Sequence, residues 1–192
     1  MRIIIIVLFL IFSLQSWTKA DDISEFEIEG ISIGDSLLDH FSEEEINKQG
    51  IFYYPKSKRI AGVRLSKDNK QYDSTQFAFY LSSYKIVSVT GIIEFDNNIN
   101  KCNEKKNNIK IEIEKIFSSI VPSEEKSTHP YDKSGKSIVY QTTFNLNDGS
   151  ALHIVCYDWA KGVYSQNIEL TDSLNISLRT SDYRKFLTYE AY

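Results

Sequence analysis

From Tyr72 to Val121 the chain reads as two long strands followed by one long helix. Over residues 75–81 apolar and polar positions alternate, placing Thr75, Phe77, Phe79 and Leu81 on one face. Residues 85–95 form the second strand, with Val87, Val89, Ile93 and Phe95 on one side. Asn97 or Asn98 then caps a helix. Its stripe of Ile99, Cys102, Ile109, Ile113, Ile116 and Ile120 belongs against a sheet, and Lys105-Lys106 reads as its solvated face.

Before that segment, a short strand with one wet face starts at Phe26. Asp35 or Ser36 caps a short helix that buries Leu37, Leu38 and Phe41. Ser42-Glu43-Glu44-Glu45 is a capping box, so a second short helix starts there and ends by Gly50. The three glutamates suit a helix N-terminus, and adjacent helical residues do not face one metal ion. Residues 51–65 supply two short strands around Pro55-Lys56-Ser57-Lys58, and residues 67–70 form a turn.

After Pro122, residues 123–136 are polar, carry Pro130 and Gly135, and read as a loop. Ile138, Tyr140, Thr142, Phe144 and Leu146 then share one strand face. Asn147-Asp148-Gly149 is the clearest hairpin turn, and the return strand at 151–158 puts Leu152, Ile154 and Cys156 on one side. His153 falls on the other. Leu174, Ile176 and Leu178 mark a last strand, and Ser181 caps a terminal helix holding Tyr183, Phe186 and Leu187. Wet and dry strand faces joined by hairpins predict an α+β domain: a mostly antiparallel sheet with one long helix and several short helices packed on it.

The first twenty residues are set apart from this domain. Arg2 precedes an almost unbroken apolar run over residues 3–14, and Thr18-Lys19-Ala20 fits a signal-peptidase site after Ala20. About twelve apolar residues fall short of the roughly 20 that a membrane span needs, although an uncleaved anchor competes with cleavage. Residues 1–20 therefore read as a signal peptide and 21–192 as one domain, exported to the periplasm or the cell exterior and without stable membrane insertion after cleavage. Removing residues 1–20 takes away Arg2 and Lys19 and no acid, so the formal net charge of −4 becomes −6. Such a surface offers no footprint for nucleic acid. In an exported chain the two cysteines make one intramolecular bridge, Cys102–Cys156. The alternative is a thiolate nucleophile beside His129 or His153, though neither cysteine sits in a nucleophile motif.

Several segments carry a resemblance. The run from Asp21-Asp22-Ile23 through Gly34-Asp35-Ser36-Leu37-Leu38, then Asn97-Asn98-Ile99-Asn100-Lys101-Cys102, His129-Pro130-Tyr131-Asp132-Lys133-Ser134-Gly135-Lys136-Ser137 and Cys156-Tyr157-Asp158-Trp159, resembles a family of small exported marine-bacterial proteins of unknown function. That resemblance implies no activity and transfers no site residues. A weaker likeness is to the small lipoprotein fold of the outer-membrane barrel-assembly machinery, in which a glycine turn precedes two short helices and a three-stranded meander. The lipidated cysteine of that fold is not present near Ala20.

Candidate chemistry is sparse. The run from Pro130 to Ser137 is one residue from a phosphate-binding loop, but proline stands where glycine is required and a strand follows instead of a helix. His129, Lys133 and Lys136 remain candidate anion or ligand contacts. His40, His129 and His153 share no metal-ligand spacing, and no catalytic or cofactor-binding signature is present. Asp158-Trp159 could line a sugar or peptide groove, or simply end a strand. The expectation is a small periplasmic or secreted binding domain without catalytic activity, whose partner is an envelope protein or a small ligand. The alternatives are a structural accessory of the cell envelope and a hydrolase with an unrecognised site.

Overall fold

The computed structural model describes residues 23–65, 71–165 and 167–192. The expected signal peptide at 1–20, its cleavage site and the turn at 67–70 lie outside these residues. In chain order the strands are β1 (Glu27–Ile28), β2 (Ile31–Ser32), β3 (Phe52–Tyr53), β4 (Ile60–Leu65), β5 (Ser74–Tyr80), β6 (Ile86–Glu94), β7 (Ser123–Thr128), β8 (Ile138–Asn145), β9 (Ala151–Asp158), β10 (Tyr164–Ser165), β11 (Ile168–Glu169) and β12 (Ser173–Arg179). The helices are α1 (Glu43–Gln49), α2 (Ile99–Ile116) and α3 (Ser181–Tyr189), with short 3-10 turns at Ile23–Glu25 and Leu37–Asp39.

Eight strands form one antiparallel sheet in the order β3-β4-β5-β6-β12-β9-β8-β7, so the fold is α+β. That order carries a two-fold likeness that no repeat in the sequence announces. Short helices precede the meander β3-β4-β5-β6, and α2 precedes β7-β8-β9-β12. The last strands of the two units, β6 and β12, pair at the centre of the sheet, and their first strands form its edges.

The main core lies between one sheet face and α2, α1 and the N-terminal turns. β5 turns Phe77 and Phe79 into it, β9 turns Leu152, Ile154 and Cys156, and β12 turns Leu174, Ile176 and Leu178. Asn98 caps α2 by accepting from the Lys101 amide at 3.2 Å. Cys102 and Cys156 are bonded, with Cα atoms 6.0 Å apart and both residues fully buried, so the bond ties the first turns of α2 to β9. Ser42 and Glu45 complete the capping box at α1, and Gly50 ends that helix at φ 85°.

Six local expectations are corrected. Val87 does not share a face with Val89. Phe79 pairs with Ile86 and Ala78 with Ser88, so Val87 is the extra residue of a bulge and joins a smaller cluster on the other face. Leu38 is exposed, because the 3-10 turn directs only Leu37 inward. Residues 123–128 form β7 rather than a loop. This edge strand pairs only with β8 and exposes every side chain, which removes any apolar pattern from its sequence. Thr180, not Ser181, caps α3, by accepting from the Tyr183 amide.

Lys106 is the fifth. Cys102 and Ile109 are seven positions apart on the α2 stripe, and Lys106 fills the buried place between them. It is 5% exposed, and its Nζ donates to Thr142 Oγ1 at 3.0 Å, with Glu124 Oε2 3.8 Å away. Burial pulls its ammonium below the usual lysine range, against the opposing pull of Glu124. Helix α2 stops at Phe117, so Ile120 lies in the turn beyond it. Phe117 is buried instead, its ring 5.0 Å from Phe26 and 6.2 Å from Phe144.

Candidate functional site on the second face of the sheet

Strand parity defines the opposite face. With Leu152, Ile154 and Cys156 turned toward α2, β9 presents His153, Val155 and Tyr157 to the other side. β12 likewise presents Asn175, Ser177 and Arg179 there. Register then sets the neighbours: Ser177 lies between His153 and Thr90, Arg179 between Ala151 and Ser88, and Asn175 between Val155 and Ile92. Helix α3 closes one end, packing Tyr183 and Phe186 with Tyr54, Ile60, Ala78 and Val87. Tyr54 and Tyr183 share a buried hydroxyl contact of 2.6 Å, and burial raises both phenols.

Most polar groups on the floor are satisfied locally. Thr90 and Ser177 hydroxyls meet at 2.9 Å, and Ser88 Oγ donates to the Leu178 carbonyl. Gln141 donates to Thr143 Oγ1 at 3.0 Å, and Thr143 Oγ1 lies 3.1 Å from His153 Nδ1. The Thr143 hydroxyl can donate to Nδ1 or accept from it, so this contact is compatible with either neutral tautomer of His153. Two buried atoms on this face have no partner among the described residues: His153 Nε2 and Asn175 Oδ1. His153 is 7% exposed. Burial, then the charges of Arg179 and Arg184, push its imidazole down to about 3.

The arginines single out this face. Arg59 is paired with Asp182 at 2.8 Å and Glu190 at 2.9 Å, and Arg64 with Glu94 at 3.4 Å. Arg184 instead donates to the Gly149 carbonyl at 2.7 Å and to Asn145 Oδ1 at 2.9 Å. Arg179 has no ion pair or hydrogen bond among the described residues. Its charge acts on the hydroxyls of Tyr54, Tyr157 and Tyr183 and on His153. In a chain of net charge −4, two arginines without carboxylate partners among the described residues make a local positive field on one surface.

Aromatic rings close the other end. The His129 ring lies 4.3 Å from Trp159 and 5.4 Å from Tyr157, Tyr157 stacks on Trp159 at 6.1 Å, and Tyr131 meets Trp159 edge-on at 6.3 Å. Trp159 and Tyr157 are half-buried. The loop that carries His129 is wound on Asp132, whose Oδ2 accepts from Ser134 Oγ, Ser137 N and Ser137 Oγ at 2.8–2.9 Å. Those bonds hold the Asp132 carboxyl well below the usual carboxylate range.

The candidate contacts at 129–136 are therefore arranged by an acidic centre. His129 Nδ1 accepts from the Tyr131 amide, and burial lowers its imidazole. Lys133 Nζ donates to the Pro130 carbonyl at 3.0 Å, and Lys136 is exposed. His129 alone joins the second face, through Trp159. His40 pairs with Asp35 at 3.1 Å in the N-terminal turns, whose Leu37 and Phe41 pack into the main core. No three metal-ligating side chains cluster among the described residues. Two depressions, lined by Lys58, Arg59, Leu81 and Ser82 and by Phe41, Glu45, Lys48, Gln49 and Leu65, include none of Arg179, His153, Asn175, Tyr157 and Trp159.

Arg179, Asn175 and Tyr157 escaped sequence reasoning as site residues. The signal was present in the last strand, where Ser173, Asn175, Ser177 and Arg179 alternate with Leu174, Ile176 and Leu178. A central strand with one entirely polar face marks a sheet whose second side is not apolar throughout, and the smaller apolar cluster there gathers around α3. Comparison of the chain with protein-family models, curated proteins and solved structures finds no match.

Proposed function

We propose that this protein is an exported, non-catalytic binding domain that uses the second face of its sheet, between α3 and the Trp159 aromatic cluster, to hold a ligand. The observation that carries the reading is Arg179, a half-buried cation without a carboxylate partner among the described residues of an acidic chain. Such a charge is costly to desolvate unless something opposes it. The sheet edges argue against recognition by strand addition. β7 carries Glu124, Glu125 and Lys126, and β3 is two residues long. Export rests on the apolar run and the Thr18-Lys19-Ala20 site, and the disulfide fits an oxidising compartment. Among the described residues no helix is long and apolar enough to cross a membrane.

A thermal-shift screen of protein beginning at Asp21, run beside Arg179→Gln and Trp159→Ala, tests the binding reading. Compounds that raise the melting temperature of the parent should lose their effect in both variants. Hits indifferent to both substitutions would overturn it. N-terminal sequencing of the envelope-derived protein should begin at Asp21, and a retained Met1 would contradict export.

A further inference from the structure

The loop at 129–137 closes on a histidine whose protonation state the backbone dictates. The Tyr131 amide donates to His129 Nδ1 at 3.2 Å. An amide N–H can only donate, so Nδ1 carries no proton and the imidazole is the neutral Nε2–H form. Tyr131 passes this contact on. Its hydroxyl donates to the Tyr164 carbonyl at 2.8 Å, and its ring meets Trp159 edge-on. The β10–β11 hairpin that carries Tyr164 is a separate two-stranded sheet, so Tyr131 ties it to the loop. The His129 ring lies over Trp159 at 4.3 Å and beside Tyr157 at 5.4 Å.

A proton on Nδ1 sets one N–H against another, and the Tyr131 contact cannot survive it. The charge that acts on His129 is that of Asp132, and burial opposes it more strongly. Both oxygens of Asp132 already accept from Ser134 and Ser137, so the carboxylate is committed to its own loop. Burial keeps the Tyr157 phenol neutral, and Lys133 Nζ turns to the Pro130 carbonyl. The other anchors of the loop, His129 N on the Ser137 carbonyl and Ala160 N on Ser137 Oγ, do not titrate. The closed loop therefore disfavours the proton that the open loop accepts. Closure is fully favoured above the ordinary histidine value of 6.5 and loses ground as pH falls below it.

We propose that His129 is a pH-operated latch: protonation at Nδ1 ejects the Tyr131 amide, and with Tyr131 the β10–β11 hairpin lets go of the Trp159 end of the sheet. The latch is independent of what the second face binds, and acid opens the approach to Trp159.

The test is a titration of ¹⁵N-labelled protein beginning at Asp21 from pH 7.5 to 4.5, with circular dichroism alongside. The His129 ring nitrogens, the Tyr131 amide and the Trp159 indole should move together in one step with its midpoint below 6.5. Trp159 emission should shift to longer wavelength in the same step, and protection of the β10–β11 amides should drop at least about tenfold, with the dichroism unchanged. His129→Asn places an oxygen acceptor where Nδ1 stands and cannot take the proton, so it should abolish the step and stay closed at both ends of the range. Tyr131→Phe should keep the His129 step and leave the hairpin amides weakly protected at every pH. A step that survives His129→Asn would overturn the latch, as would His129 protonation with Tyr131 and Trp159 unmoved. No step down to pH 4.5, or a step that coincides with loss of the dichroism, would overturn it equally.

Discussion

Removing the Cys102–Cys156 bond tests whether α2 is held to the sheet by covalent closure as well as by packing. The perturbation is Cys102→Ala with Cys156→Ala, which leaves no buried thiol unpaired. The bond spans a sequence separation of 54. For a closed loop of about 55 residues the chain-entropy model gives roughly 4 kcal/mol at 25 °C. Both cysteines are fully buried in the main core, so deleting the sulfurs adds a cavity cost of the same sign. For a domain of this size about 1 kcal/mol shifts the midpoint by roughly 2–4 °C, so the variant should melt about 8–16 °C lower. Thermal unfolding followed by circular dichroism reads this directly, and amide exchange should rise first in the N-terminal turns of α2. Burial also predicts that dithiothreitol reduces the bond only through opening of the fold, at a rate that climbs steeply with temperature. A midpoint change under about 3 °C, or rapid native-state reduction, would refute the pinning argument.

Other outcomes follow from single side chains. The folded His153 imidazole titrates near 3 and an unfolded one near 6.5, so the unfolded state binds the extra proton between those values. Stability should therefore fall as pH drops through that window, by up to about 1.4 kcal/mol per pH unit, and His153→Gln should flatten the slope in urea titrations between pH 7 and 5. An unchanged slope would contradict the buried neutral imidazole. Lys106→Met replaces a desolvated ammonium with an apolar chain of similar volume, so stability by urea denaturation should stay within about 1 kcal/mol of the parent or rise. A loss above about 2 kcal/mol would show that the Lys106–Thr142–Glu124 contact is net stabilising. Gly91→Ala places a Cβ 2.5 Å from the buried Tyr72 ring, and the overpacking should cost about 1–3 kcal/mol. A neutral effect in the same assay would mean that the ring yields freely.

Much of this fold was legible because its strands are long and its main core is one-sided. Leu152, Ile154 and Cys156 alternate without interruption, so parity predicted their shared face, while the Cys102–Cys156 pairing followed from there being only two cysteines in a chain expected to be exported. Parity failed at Val87, where a bulge changes the side on which one residue falls while leaving the local sequence pattern intact. Lys106 was misread because its charge outweighed its position, although helical spacing puts it between Cys102 and Ile109. β7 left no pattern because an edge strand with every side chain in water needs none. The site was the least legible part. Arg179, His153 and Asn175 come from two strands brought together by the β9–β12 pairing, and the sequence places the loop of β10 and β11 between them. The lysines at 133 and 136 drew attention through a phosphate-loop likeness, yet the loop closes on Asp132.

One tryptophan makes the central claim directly measurable. Of the two in the chain, Trp17 lies in the segment expected to be cleaved, so protein beginning at Asp21 carries only Trp159. Its indole N–H gives a single reporter at the aromatic end of the second face. Titrating the strongest thermal-shift hit into ¹⁵N-labelled protein should move that indole signal together with the amides of His153, Tyr157, Asn175 and Ser177. The amides of α1 and of the exposed side of α2 should stay still. Perturbations confined to the helical side, with the Trp159 indole unmoved at saturation, would contradict the account.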